Sequence, residues 1–241
     1  MKTNQNLLTG AVVTALMAVS LQAHALTTSV TSVPPGSSFS GQAGALTIDF
    51  GTSTPTNVGP VGGALAGADL VYSGSGGGVS YDYYGGALYN LVTSPISSVT
   101  ARPVGSEDNF YSVGTSPAAQ NGPGEVKFSS GLSYFGFLWG SPDTYNTVSF
   151  FNGATLLGSY TGSAVLSPAN GDQSVGRYFN AFAGVGEQIT RVTFASTTNA
   201  FETDNHAYIA AIPEPETYAM LLAGLGLMGF VARRRKAMSI A

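Results

Sequence analysis

The chemistry open to this chain is set by what its polar side chains can and cannot do. It has two histidines, thirteen acids and no cysteine, which excludes thiol nucleophiles and cysteine-ligated zinc. His24 falls in an N-terminal apolar stretch, and His206 follows Asp204 and Asn205. A serine nucleophile needs a histidine base, and no Gly-x-Ser-x-Gly elbow accompanies His206, which reads as a structural residue at a strand end. Glu125, Asp143, Asp172, Glu187, Glu202 and Asp204 offer carboxylate pairs for glycoside hydrolysis. The spacing does not say which two converge. Glu202, Asp204 and Asn205 bring three hard oxygen donors together beside the last strand, a set that suits a structural calcium ion, and Asn170-Gly171-Asp172-Gln173 is a second such run. The preference of Asn and Asp for turns accounts for both without metal. Tyr145, flanked by Asp143, Thr144 and Asn146 in a polar loop, is the aromatic side chain best placed to stack on a sugar ring. Ser73-Gly74-Ser75-Gly76-Gly77-Gly78 lacks the lysine and helix of a phosphate cradle and reads as a flexible loop.

Strands must position these groups. Between Leu26 and Ile212 no helix-period pattern of useful length occurs, while short β-rich runs recur between Gly, Ser, Pro and Asn. The predicted strands are 46–50, 69–72, 79–84, 87–92, 125–129, 134–139, 147–151, 155–160, 177–182, 189–194 and 207–210. Such lengths imply an all-β fold, an antiparallel β-sandwich of jelly-roll type. Asn152-Gly153 predicts a hairpin turn, since both residues tolerate positive φ, with Val148 and Phe150 facing the core. Val192 and Phe194 point inward by the same alternation, Arg191 and Thr193 outward. The stretch from Val30 to Gly67 is richer in Pro, Gly and Ser, as loops or an edge extension would be. With thirteen phenylalanines, twelve tyrosines, one tryptophan and no disulfides, stability must come from burying rings.

Charge is divided unevenly. Between Leu26 and Ile212 four basic residues face eleven acids, whereas Arg233, Arg234, Arg235 and Lys236 stand together near the end. An acidic middle repels phosphate backbones, so nucleic acid is excluded as a partner.

The two ends read as targeting segments. Lys2, the apolar run Leu7–Leu21 and the small-x-small site Ala23-His24-Ala25 make residues 1–25 a secretory signal peptide, with Leu26 as the mature start. At the other end Pro213-Glu214-Pro215 precedes an uncharged apolar stretch, 217–232, that spans about 24 Å as a helix. That is a short transmembrane helix against a hydrocarbon core of about 30 Å. The cluster Arg233 to Lys236 then acts as a stop-transfer signal on the cytoplasmic side. Both ends demand one topology.

Proline-glutamate-proline, a short glycine-containing apolar helix and an arginine cluster, in that order, resemble the PEP-CTERM sorting signal read by exosortases. The resemblance covers about the last thirty residues, and Glu216 departs from it where small residues are frequent. It implies cutting near Pro213-Glu214-Pro215 by a membrane-embedded cysteine protease, in a Gram-negative bacterium of the kind that makes extracellular polysaccharide. Residues 125–208, with Tyr134-Phe135-Gly136-Phe137-Leu138-Trp139 and Asp204-Asn205-His206-Ala207-Tyr208, also resemble a group of exosortase-dependent surface proteins.

The chain thus divides into a signal peptide (1–25), a β-sandwich ectodomain (26–212) and a sorting tail (213–241). Its expected partners are the secretion machinery, an exosortase, the inner membrane transiently, and an extracellular polysaccharide. It is expected at the cell surface or outside the cell after a membrane-anchored precursor stage. Two function classes stand against each other: a non-enzymatic surface or biofilm-matrix protein holding exopolysaccharide, and a secreted glycan hydrolase using paired carboxylates.

Overall fold

The computed structural model describes residues 26–32, 39–48, 50–51, 70–84, 91–92, 99–107, 109–114, 123–212, 221–229 and 233. Within them lie β1 (Thr27–Ser32), β2 (Leu46–Ile48), β3 (Leu70–Gly76), β4 (Val79–Tyr84), β5 (Leu91–Val92) and β6 (Phe110–Val113). β7 (Gly124–Gly140), β8 (Asn146–Asn152), β9 (Thr155–Thr161), β10 (Gly176–Phe182), β11 (Ile189–Ser196) and β12 (Phe201–Ala210) follow. All pairings between these strands are antiparallel.

β7 organises the fold because its two halves have different neighbours. Glu125 to Phe128 pair with β4, and Gly124 to Lys127 pair with β11 on the other side. Further along, Tyr134 to Gly140 pair with β10, and Leu132 to Gly140 pair with β12. The first half therefore carries the order β3-β4-β7-β11-β8-β9, and the second carries β1-β10-β7-β12-β6-β5 with β2 farther along β12. Rings from the two halves meet: Phe150 of β8 stacks on Phe179 of β10 at 6.0 Å, while Phe194 of β11 meets Phe201 of β12 edge-on at 5.6 Å and Tyr83 of β4 meets Tyr111 of β6 edge-on at 5.4 Å. Side chains between the halves thus form the hydrophobic core expected of aromatic burial.

The sequence divides β7 into two strands, 125–129 and 134–139, yet the backbone runs on through Ser130 to Ser133. Alternating burial over 124–129 gives way to unbroken burial over 134–140, where outer-face residues are also covered. Tyr134, for example, is sealed by hydrogen bonds to Ser40 at 2.7 Å and Asn180 at 2.8 Å.

The run Ser73-Gly74-Ser75-Gly76, expected as a flexible loop, is the second half of β3, and only Gly77 and Gly78 turn the chain. Tyrosines explain the glycines. A Cβ on Gly74 would stand 2.5 Å from the Tyr81 hydroxyl oxygen, and one on Gly76 would stand 2.8 Å from that of Tyr208. The Tyr208 hydroxyl instead donates to the Gly76 carbonyl at 2.9 Å.

The β8–β9 hairpin forms where predicted, with its turn one residue later. Asn152 pairs with Thr155, so Gly153 and Ala154 make the turn, and only Gly153 takes positive φ, at 57°. Val148, Phe150, Val192 and Phe194 are fully buried as expected, while Thr193, expected outward, is also covered. The polar strand β1, TTSVTS, carries no apolar alternation and is recognised only through its pairing with β10.

Candidate functional site

At one end of β7 and β12 the segments 99–102, 141–145, 170–173 and 199–202 surround a cleft of about 680 Å³. Its depth comes from backbone packing. A bridge pairs Asp143 with Asn170, and the Gly171 amide donates to the Pro142 carbonyl at 3.2 Å. Gly162 brings the short 3-10 turn Gly162–Ala164 directly against the Asp143 backbone, where a Cβ would collide with the Asp143 carbonyl carbon at 2.7 Å.

Two acids line this cleft. Glu202, the second residue of β12, is almost wholly buried; its Oε1 accepts the Ala101 amide and its Oε2 the Ser141 hydroxyl, each at 2.9 Å. Burial dominates its titration, pushing the carboxyl up to about 7 against those hydrogen bonds, with the Asp143 charge adding to the rise. Asp143 is 9% exposed and lies over Gly171, whose missing Cβ would stand 2.8 Å from both carboxylate oxygens. Among the described residues neither acid has an ion-pair partner. Tyr145 is half-buried in the same wall, its hydroxyl donating to the Asn199 carbonyl at 3.2 Å. Burial and then the adjoining Asp143 carboxylate hold that phenol well above its ordinary value. Asn170, Gln173 and Arg102 complete the polar lining.

The structure thus joins residues that the sequence lists separately. Of the six acids considered for a pair, Asp143 and Glu202 come together at the cleft. Glu125 serves a surface network with Lys127 at 2.6 Å and Arg191 at 3.4 Å. Asp172 caps its own turn through Ser174, whose amide lies 2.9 Å from Oδ1. Nothing in the spacing of Asp143 and Glu202 signals their meeting, because it depends on β7 and β12 being neighbours.

Glu202, Asp204 and Asn205 stand elsewhere than their expected place beside the last strand. These residues lie inside β12 and are buried, not on a loop beside it. Glu202 is held by Ala101 and Ser141, whereas Asp204 Oδ1 accepts the Asn205 amide at 2.7 Å, with Asn205 at a positive φ of 45° in a bulge. Among the described residues no group of three or more His, Cys, Asp or Glu side chains is placed to hold a metal ion. His206 is likewise within β12 and not at its end. Its Nδ1 lies 2.7 Å from the Tyr83 hydroxyl and its Nε2 2.9 Å from Thr203 Oγ1, inside a shell of Phe50, Phe135, Phe137 and Phe194 rings. Burial pushes its pKa down to about 3, so it is a neutral core residue.

Beyond β12 the described tail is helical at 221–229 and at Arg233, and every one of those residues is exposed. Residues 211–236 match the PEP-CTERM protein-sorting motif. The motif marks an exosortase-sorted, exported protein with a C-terminal sorting signal. Its Pro213, Glu214, Pro215, Arg234, Arg235 and Lys236 lie outside the described residues, as do residues 1–25 with Ala23 and Ala25. Leu26, the residue before β1, is buried. Among the described residues no helix is long and apolar enough to cross a membrane. The chain finds no match among curated proteins or among solved structures.

Proposed function

We propose that the chain is an exported surface or matrix protein, non-enzymatic, that holds extracellular polysaccharide in the cleft between Asp143, Tyr145, Asn170, Gln173 and Glu202. The observation that carries this reading is the lining itself: one aromatic ring among carboxylates and amides in a concave site, a combination that suits hydroxyl-rich rings with an apolar face. Export proceeds through a signal peptide ending at Ala25. The tail helix holds the precursor in the inner membrane until an exosortase cuts near Pro213-Glu214-Pro215, with Arg233 to Lys236 left on the cytoplasmic side. The exposure of Leu221, Leu222, Leu225, Leu227 and Met228 supports this, since an apolar helix that does not pack on the β domain needs another apolar surrounding.

A second reading, hydrolysis of a glycan, is favoured by one fact: Asp143 and Glu202 share the cleft, and Glu202 keeps its proton near neutrality. Incubating the purified protein with polysaccharide from its own host separates the two. Bound polymer of unchanged length supports the binding reading, shortened chains support hydrolysis, and the absence of both binding and shortening overturns both readings. Processing is tested by the mass of the protein recovered from its native envelope; a C-terminus that still holds Arg233 to Lys236 overturns the cut.

A further inference from the structure

The cleft has a polarity that the glycan reading alone does not use. Its two carboxyls are Asp143 and Glu202, and among the described residues no cation stands within ion-pair distance of either. Burying a carboxylate without a counter-charge is costly, and each such group is better satisfied by a charged N–H donor than by a neutral hydroxyl. Asp143 is about nine-tenths buried and has only a neutral donor beside it, the Tyr145 phenol, which it shares with the Asn199 carbonyl.

We infer that the cleft selects a glycan bearing a free primary amine, an amino sugar that is not N-acetylated, and seats its ammonium between Asp143 and Glu202. This rests on the glycan-binding reading and sharpens it to a chemical class. An ammonium offers three donors at one point and cancels the charge that burial disfavours, whereas an N-acetyl group offers a single neutral donor and a bulky methyl. The groups facing Glu202 are the Ser141 hydroxyl, the Ala101 amide and the Asp143 carboxylate, with Tyr145 and Arg102 in the same lining. Because burial raises Glu202, an ammonium arriving beside it lowers that carboxyl again, and binding near pH 6.5 releases a proton to the buffer.

The test uses the protein purified from its envelope and two probes, a β-1,4-linked glucosamine tetramer and its fully N-acetylated counterpart, followed by titration calorimetry at pH 6.5 in buffers of different ionisation heat. The amine tetramer is expected to bind about tenfold or more tightly than the acetylated one, with proton release. Glu202→Gln is expected to abolish the release. Asp143→Asn is expected to remove most of the preference while leaving the far-ultraviolet circular dichroism unchanged. Equal binding of the two tetramers, or preference retained in both variants, overturns the amine inference alone. If neither tetramer nor the host polysaccharide binds, the glycan reading falls with it.

Discussion

Two buried titratable residues of β12 pull the stability of this protein in opposite directions as pH changes. His206 is neutral in the fold and has its pKa pushed down from 6.5 to about 3. An unfolded chain therefore takes up a proton that the native one refuses, and stability falls as pH drops from 6.5 toward 3. Glu202 is pushed up from 4.5 to about 7. The native state keeps a proton that the unfolded chain releases, and stability falls as pH rises from 4.5 toward 7. Each contributes a slope of about 1.4 kcal/mol per pH unit inside its window. Between pH 4.5 and 6.5 the two nearly cancel, so urea denaturation across this range should give a shallow profile. Glu202→Gln removes one slope, and its stability should climb with pH through the same interval. A variant profile as flat as that of the wild type would show that His206 is protonated in the fold. His206 could be read from the sequence as structural, since no partner for nucleophilic catalysis accompanies it. The phenol and threonine that hold both its nitrogens come from β4 and from three residues upstream, and only the packed core brings Tyr83 to it.

Among the elements, β3 depends most on side chains it does not own. Its glycines have the composition of a linker and the pairing of a strand, because the rings of Tyr81 and Tyr208 occupy the space where Cβ atoms would sit. Gly74→Ala must displace the Tyr81 ring, which packs in turn against Tyr72, Tyr83 and Tyr208. A loss of about 1–3 kcal/mol in unfolding free energy is expected, the usual cost of overpacking. Gly41→Ala, where nothing stands within 4 Å, is the control and should change stability little. Equal effects at the two positions would contradict the ring packing described for β3. The same principle explains why β7 hides its length. Period-2 patterning is legible where one face is solvated, as over 124–129, and vanishes where both faces are covered, as over 134–140. The hairpin β8–β9 was legible because Asn-Gly and alternating apolar residues are local signals, though the turn itself settled on Gly153 and Ala154.

At the scale of the whole molecule, the β domain is packed while the described part of the tail is exposed. β12 ends at Ala210, and none of the residues at 221–229 is buried. Removing residues 213–241 should therefore leave the thermal midpoint of the β domain within about 2 °C of that of the longer chain, since none of the described tail residues is buried. A fall of ten degrees or more would show that the apolar helix packs against the domain and is no detachable tail.

The sequence by itself determined the sorting motif, the antiparallel all-β class and the inward side chains of β8 and β11. These are carried by local order, local periodicity or composition, which need no knowledge of neighbours in space. Tertiary structure alone decided that Glu202 and Asp204 lie within a buried strand, that a Ser-Gly run is a strand under tyrosine rings, and that Asp143 meets Glu202 in a cleft. Each is a contact between residues far apart along the chain. It arises because β7 is long enough to join two half-sheets and bring β12 beside the β7–β8 turn, and no spacing within a single segment encodes that crossing.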